Sequence, residues 1–198
     1  MPAVQRTSRG GALRIIDLTT PEDGHRPEPD PGAATRWAPR PAHVLDLSTV
    51  APVTRTAGVT DIDRALARLG CRPRPRDVVL LRTGASGLAG TPRYFTDFTG
   101  LDGPATDYLL GLGVRVIGTD AFSLDAPFRA MIRRYHATGD RSVLWPALFA
   151  GRRHACRRIE RLARLDILPP TGFRVACLPE RTAGPGTQRT RAVALLDD

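Results

Sequence analysis

The sequence contains no lysine and no asparagine, so all 29 of its basic side chains are arginines. The codons of both missing residues are AT-rich, and their absence beside abundant Ala, Arg, Gly and Pro indicates a high-GC bacterium. Part of the net charge of +9 therefore reflects genome composition. Few aromatic residues interleave with the arginines and no nucleic-acid-binding motif occurs, which argues against a nucleic-acid partner.

Cysteines and long apolar runs are also scarce. The three cysteines have no C-x-x-C spacing and are expected to be reduced thiols. No apolar run of signal-peptide length precedes Asp17, and no apolar span of membrane length occurs elsewhere. We therefore expect a cytoplasmic protein without a membrane partner, and a chain of 198 residues is expected to fold as one domain.

Hydrophobic periodicity predicts a layered domain of strands and helices. Six prolines between Pro21 and Pro41 predict a long loop over residues 19–42, after a flexible tail at residues 1–12. Thr60 and Gly70 are the expected caps of the first helix. Strands are predicted at residues 12–18, 43–50, 76–84, 114–120, 172–179 and 190–196, and helices at residues 59–70, 103–113, 128–136 and 153–165.

Several short segments occur in an order that is typical of one enzyme family. They are IIDLT, VLDLS, DVVLLRTG, GVRVIGTDAFSLD, LWPALFAGRRHACRRIERLARLDILPPTGFRVACLP and RAVAL, between residues 15 and 196. This order resembles the cyclase family of metal-dependent hydrolases, which includes bacterial kynurenine formamidase, isatin hydrolase and aromatic polyketide cyclases. The resemblance implies an α/β fold, a swivelling β/β/α-type single domain over residues 1–198, and a homo-oligomer, usually a dimer or tetramer, with a zinc or manganese site.

The metal motif of that family is missing from this chain. Its form is H-x-G-T-H-x-D-x-P-x-H, and the interval where the resemblance places it, AATRWAPRPA, contains no histidine or aspartate. The second part of the family site resembles WPAH followed, twelve residues after the histidine, by a glutamate. Here Leu148 stands at the histidine position and Glu160 is the glutamate. A divalent cation needs about three or four converging N or O ligands, so we expect no metal and no cofactor.

The segment WPALFAGRRHACRRIERL contains other residues that could attract a metal or a phosphate. On the predicted helix, His154 and Cys156 would point about 200° apart and would not converge on one ion. We expect an exposed histidine and a cysteine that packs on the core. A solvated helix face, with some ion pairs between subunits, is expected for the arginines: Arg152, Arg153, Arg157, Arg158 and Arg161.

Three polar residues are candidates for catalysis: Glu160, Asp120 and Ser123. Burial in a dry pocket favours the neutral form of a carboxylic acid, so Glu160 is expected to exchange a proton near neutral pH unless an arginine lies beside it. Asp120, Ser123 and Asp125 follow a predicted strand end, where catalytic groups are commonly placed.

Structural roles remain open for the same residues. Glu160 has the spacing to pair along its predicted helix with Arg157 or Arg164. Asp120 and Asp125 suit capping of the helix that begins near Pro127, and Ser123 suits a turn.

Apolar residues beside these positions are candidates for substrate binding, and a core or interface role is the alternative for Trp145. Leucine in place of a ligating histidine makes such a pocket drier. The candidate residues are Trp37, Phe122, Trp145, Leu148 and Phe149.

The function predicted from these features is a metal-independent cyclase or lyase of bacterial secondary metabolism, including polyketide and antibiotic biosynthesis. It would catalyse ring closure, dehydration or isomerisation of an aromatic or polyketide-like small molecule by proton transfer. One alternative is an inactive cyclase-like subunit that supports a partner biosynthetic enzyme or binds a small molecule. The other is a metal-dependent amidohydrolase whose ligands are supplied unconventionally.

Overall fold

The computed structural model of the protein describes residues 13–19, 38–50, 56–179 and 190–197. Trp37, residues 1–12 and most of the predicted proline-rich loop lie outside the described residues. The described part is a mixed α/β domain that is built on one seven-stranded sheet. The predicted α/β class is therefore confirmed.

The sheet combines a parallel half with an antiparallel half. Its order is β1-β7-β6-β2-β3-β4-β5, in which β2 to β5 run parallel and the remaining pairs are antiparallel. The strands are β1 Leu13–Asp17, β2 Arg40–Asp46, β3 Val78–Arg82, β4 Val116–Thr119, β5 Arg157–Ile159, β6 Phe173–Pro179 and β7 Thr190–Asp197.

Within the described part of the chain, four α helices lie in the connections between the parallel strands. They are α1 Val59–Leu69, α2 Gly103–Gly111, α3 Phe128–Thr138 and α4 Pro146–Arg153. Helix α2 begins after Asp102, whose carboxylate accepts a hydrogen bond from the Ala105 N–H at 2.8 Å. None of the described helices has both the length and the apolar character that crossing a membrane would require.

Two apolar clusters cover opposite faces of the sheet, and β3 contributes to both. Its residues Val79 and Leu81 pack with the helices, whereas Val78 and Leu80 pack with β1, β6 and β7. All four side chains are buried. The continuous apolar centre of this strand therefore predicted its burial on both faces correctly.

The predicted helix over residues 153–165 is wrong. The structure instead has the end of α4, the edge strand β5 and a short 3-10 turn at Leu165–Ile167. Strand β5 pairs in parallel with β4, and Ala155, Arg161 and Arg164 have φ angles of 50°, 63° and 61°, which an α helix excludes. Pairing with β4 provides backbone partners that are distant in the sequence and that local periodicity cannot reveal.

The start of β2 and the cap of α1 also differ from the prediction. Strand β2 begins at Arg40, so the last residues assigned to the proline-rich loop belong to the sheet. Helix α1 is capped by Gly58 instead of Thr60, and the Asp61 carboxylate accepts a hydrogen bond from the Gly58 N–H at 3.0 Å. Gly70 ends this helix with φ 73°, as predicted.

Candidate functional site

Polar residues follow the carboxyl ends of three neighbouring parallel strands. Thr83 directly follows β3, Asp120 follows β4, and Glu160 follows β5. Ligands of open α/β sheets bind outside the carboxyl ends of the strands. The fold therefore brings two of the predicted catalytic residues, Asp120 and Glu160, to the same edge of the sheet.

Asp120 is engaged with the loop that follows β3. Its carboxylate accepts hydrogen bonds from the Thr83 N–H at 2.7 Å, the Thr83 hydroxyl at 2.6 Å, the Gly84 N–H at 2.9 Å and the Ser86 hydroxyl at 3.3 Å. The residue is only 1% exposed. Asp120 thus holds a loop at the edge of the site, and its lone pairs are directed to the protein itself.

Glu160 is held through one of its two oxygens. Oε1 accepts hydrogen bonds from the Leu124 N–H at 2.9 Å and the Ser123 hydroxyl at 3.3 Å, and it lies 3.5 Å from the guanidinium of Arg158. The side chain is 29% exposed. Within the described part of the chain, Oε2 accepts no hydrogen bond. The structure therefore brings together Glu160 and Ser123, two of the candidate catalytic residues, and Oε2 of Glu160 has no hydrogen-bond partner among the described residues.

The pairing of Glu160 along a helix with Arg157 or Arg164 is wrong, because no helix spans these residues. The cation beside Glu160 is Arg158, which the sequence analysis assigned to a solvated helix face. Arg158 also lies 3.3 Å from Asp125, and its side chain is 26% exposed. The sequence RRIE could have predicted this contact, because Arg158 and Glu160 are two residues apart and such residues share one face of a strand.

Asp125 caps helix α4 from a distant position in the sequence. Its carboxylate accepts hydrogen bonds from the Ala147 N–H at 2.7 Å and from the Leu148 N–H at 3.2 Å. Burial raises the pKa of Asp125, although these two hydrogen bonds and the Arg158 guanidinium oppose the shift. The predicted capping of the helix near Pro127 is wrong for Asp120 and Asp125, because α3 has no side-chain cap.

Ser123 has a turn role in addition to its contact with Glu160. Its oxygen accepts a hydrogen bond from the Asp125 N–H at 3.2 Å, two residues along the chain. The turn that was predicted as the alternative for Ser123 is therefore present, and it places the hydroxyl beside the carboxylate.

The predicted apolar residues fall into two groups. The ring of Phe122 makes edge contacts with Tyr94 and Phe95, and the Arg161 guanidinium lies 4.3 Å from its centroid. Trp145 packs against Phe128 with their centroids 6.0 Å apart.

Leu148 is half-buried in the first turn of α4, where Phe149 is exposed. Three of the predicted wall residues, Trp145, Leu148 and Phe149, therefore lie within five residues at the start of one helix, whereas Phe122 packs elsewhere. Trp37 lies outside the described residues.

Tyr94 is a buried polar residue of this region that the sequence analysis missed. Its hydroxyl donates a hydrogen bond to the carbonyl of Asp120 at 3.2 Å. Burial and the charge of Asp120 raise the pKa of Tyr94 to about 12. Tyr94 therefore remains a neutral donor that supports the β4 end of the site.

Among the described residues, His154 and Cys156 belong to no group that could hold a metal ion. His154 is exposed and lies 3.5 Å from Asp107, whereas Cys156 packs against the core and burial raises the pKa of its thiol to about 11. The predicted environments of both residues are confirmed. Arg153 pairs with Asp107 at 3.1 Å, so this part of the arginine-rich segment does form a solvated surface.

Comparison with known proteins identifies the family. The family model for cyclases matches residues 24–126, which is slightly more than half of the chain. The chain belongs to the cyclase family. No match was found among the curated proteins.

Solved structures share the cyclase fold over most of this chain. Isatin hydrolase A from Labrenzia aggregata, bound to benzyl benzoate, matches with a TM-score of 0.66 at 21% identity, over 94% of each chain. A potential metal-dependent hydrolase with cyclase activity has a TM-score of 0.58 at 16% identity, and the match covers 94% of this chain and 99% of that one.

A third structure is longer than this cyclase-family chain. An isatin hydrolase bound to the product analogue thioisatinate matches with a TM-score of 0.64 at 24% identity, over 81% of this chain. The match spans 61% of that hydrolase.

The described residues around Glu160 do not provide the ligand set of a divalent metal. Leu148 has no ligating atom, and the two nearby carboxylates, Asp125 and Glu160, already share the guanidinium of Arg158. Among the described residues, no group of three or more His, Cys, Asp or Glu side chains could hold a metal ion. A cation of the protein itself thus occupies the position between the carboxylates.

Proposed function

We propose that this cyclase-family protein is a metal-independent enzyme of bacterial secondary metabolism, which closes a ring, dehydrates or isomerises an aromatic or polyketide-like intermediate. The proposal rests on a difference between the two carboxylate oxygens of Glu160. Oε1 is held by Leu124, Ser123 and Arg158, whereas Oε2 has no partner among the described residues. Because Arg158 lies beside Glu160, the condition for the expected proton exchange is not met, and Glu160 is proposed to act from its ionised form, with Oε2 accepting the proton.

In this proposal Glu160 acts first as a base and then as an acid. Oε2 removes a proton from a carbon next to a carbonyl group, and the resulting enolate carbon attacks a second carbonyl of the same molecule. Glu160 returns the proton to the alkoxide that forms. Loss of the hydroxyl group as water, after a second proton transfer, yields the unsaturated ring. The reaction is an isomerisation followed by a dehydration and needs no oxidant.

Arg158 and Ser123 are the donors beside Glu160, where the proposal places the enolate. Both lie against Oε1 of Glu160, within 3.5 Å and 3.3 Å respectively. Arg158 keeps a fixed positive charge at the site, because a guanidinium stays protonated. Preorganised donors of this kind stabilise an oxyanion in a partly buried site.

The apolar body of the substrate is proposed to pack on the start of helix α4. Trp145 and Phe149 are 41% and 49% exposed, so both present aromatic surface at the start of this helix. Leu148 lies between them in the sequence, and its N–H is fixed by Asp125. Asp120 is assigned a positioning role in the loop after β3, because its oxygens already accept four hydrogen bonds.

The test uses an aryl diketone, ortho-acetylphenyl acetone, whose intramolecular aldol closure and loss of water give a fluorescent methylnaphthol. We expect turnover that persists with excess chelator and that falls at least about a hundredfold in Glu160→Gln. Asp166→Asn is the matched control, because Asp166 is exposed in the 3-10 turn that follows, and it should retain the wild-type rate.

Other outcomes separate the alternatives. Hydrolysis of isatin that requires added zinc or manganese, without ring closure, would establish the metal-dependent alternative. Absence of turnover together with a tight complex with a second biosynthetic enzyme would establish the inactive-subunit alternative. Full activity of Glu160→Gln would remove Glu160 from the mechanism.

The cellular context is part of the same proposal. Cys71, Cys156 and Cys177 are all free thiols, which supports a reducing compartment such as the cytoplasm. A homo-oligomer and a partner biosynthetic enzyme stay predictions.

A further inference from the structure

A cavity of about 240 Å³ lies at the amino ends of the parallel strands, opposite to the edge that contains Glu160. Four arginines line it, and each stands at the first residue of a parallel strand or within two residues before it. No acidic residue belongs to its lining within the described part of the chain. The four arginines, called the arginine pocket below, are Arg40, Arg76, Arg115 and Arg157.

Strand register places these charges side by side. Ala42 pairs with Val78, and Arg40 and Arg76 each precede those partners by two residues. On the other side, Val78 pairs with Val116, and Val116 pairs with Arg157. Neighbouring strands are about 4.8 Å apart, so the positive charges of Arg40, Arg76 and Arg115 lie near one another, and an anion between them would reduce their mutual repulsion.

Two of the four arginines are held in place by contacts with the backbone. The Nη1 atom of Arg115 donates hydrogen bonds to the carbonyls of Leu110 at 2.9 Å and Val114 at 2.7 Å, which fixes its guanidinium at the rim. Arg76 adopts φ 73°, an uncommon conformation for a residue with a side chain, and its N–H is bound to the Gly113 carbonyl at 2.9 Å. Arg76 therefore adopts a backbone conformation in which glycine would be less strained.

The other residues that line the cavity indicate what kind of ligand it would accept. Val78, Val116 and Cys177 contribute apolar surface, and burial raises the pKa of the Cys177 thiol to about 12, so the thiol is neutral. The cavity is smaller than the roughly 300–1,000 Å³ of typical ligand pockets. A single arginine already satisfies a carboxylate through a bidentate pair. Several arginines suit a phosphate group, which has a charge near −2 and three accepting oxygens.

We propose that the arginine pocket binds a phosphate monoester with a small apolar body. The site is separate from Glu160 and does not rest on the proposed function. Phosphate oxygens would lie among the guanidinium groups, and the apolar body would contact the valines and Cys177. The phosphate monoester is bound without any bond being broken, so no reaction is assigned to this cavity.

Phenyl phosphate is the probe, and calorimetric titration of the full chain at constant ionic strength is the measurement. We expect saturable binding of one equivalent. Arg76→Gly should raise the dissociation constant at least about tenfold, since it removes a charge-assisted contact. Glycine suits φ 73°, so this variant should fold. Arg133→Ala removes the same charge from the exposed face of α3 and should change the constant by less than about twofold.

Three results would overturn the proposal. The first is the absence of saturable binding, and the second is an equal loss in Arg76→Gly and Arg133→Ala, because both indicate attraction to net charge alone. The third is equally tight binding of benzoate, which would remove the assignment to phosphate. Ring-closure activity that persists in Arg76→Gly separates this site from the one at Glu160.

Discussion

The Nη1 atom of Arg158 lies 3.3 Å from Oδ2 of Asp125, whose side chain is only 2% exposed. Arg158 belongs to the edge strand β5, and Asp125 caps the first turn of α4. The pair therefore joins the strand that presents Glu160 to the helix that presents Leu148. Removing either charge would leave the other partly buried and without its nearest partner.

Asp125→Ala is expected to lower the free energy of unfolding by about 3 kcal/mol, because it uncaps α4 and breaks a partly buried ion pair. Urea denaturation monitored by circular dichroism measures this loss. Asp107→Ala is the control, since the pair of Asp107 with Arg153 is exposed, and it should change stability by less than about 0.5 kcal/mol. Equal losses in the two variants would contradict the assigned role of Asp125.

The dependence of the free energy of unfolding on pH should reveal the titration of Asp125. Burial raises the pKa of Asp125 in the folded state, so folding favours its protonated form. The contribution of Asp125 to the free energy of unfolding is fully present below the pKa of the unfolded state, about 3.9. This contribution is lost as the pH rises through the pKa of the folded state. The stability advantage of the wild type over Asp125→Asn should therefore shrink as pH increases. Urea titrations of both proteins across this window test the sign, and a growing difference would refute it.

Gly100 packs directly against the segment that contains Asp125. A Cβ atom at Gly100 would overlap backbone atoms of Asp125 and Ala126. Gly100→Ala is therefore expected to reduce the free energy of unfolding by about 3 kcal/mol through overpacking and to reduce ring-closure activity. At Gly111, at the end of α2, no atom lies within 4 Å of a Cβ, so Gly111→Ala should stabilise by up to about 1 kcal/mol. Thermal unfolding of Gly100→Ala and Gly111→Ala, each compared with the wild type, measures both changes in stability.

The three thiols should react at different rates with a chromogenic disulfide reagent near neutral pH. Cys71 is exposed, whereas burial raises the pKa of Cys156 to about 11 and that of Cys177 to about 12. Since the thiolate is the reactive form, we expect one fast thiol, and Cys71→Ser should abolish the fast phase. Three equally fast thiols in the folded protein would contradict the described burial.

Several elements could be predicted because their signals are local. Gly70 ended α1 where a left-handed residue was expected, and the apolar run 78–81 formed a strand buried on both faces. The region after α4 could not be predicted in the same way. Its spacing of apolar residues suits a helix, but pairing of β5 with β4 and three left-handed residues override that preference.

The structure brings together only some of the residues that were predicted for the site. Glu160 and Ser123 meet, and Asp120 lies at the same sheet edge. Arg158 was missed because a helix would have directed it away from Glu160, whereas a strand places residues 158 and 160 on one face. Asp125 was assigned to a helix near in sequence, but its hydrogen bonds reach residues more than twenty positions away.

By itself, the sequence determined the α/β class, the family and the absence of a ligating side chain at Leu148, because order, composition and residue identity do not depend on geometry. Only the tertiary structure decided that an arginine lies between Asp125 and Glu160, that Asp120 holds a loop, and that four arginines line one cavity. Those arrangements arise from strand pairing between distant segments. Local periodicity contains no information on which distant carboxylate a given cation will meet.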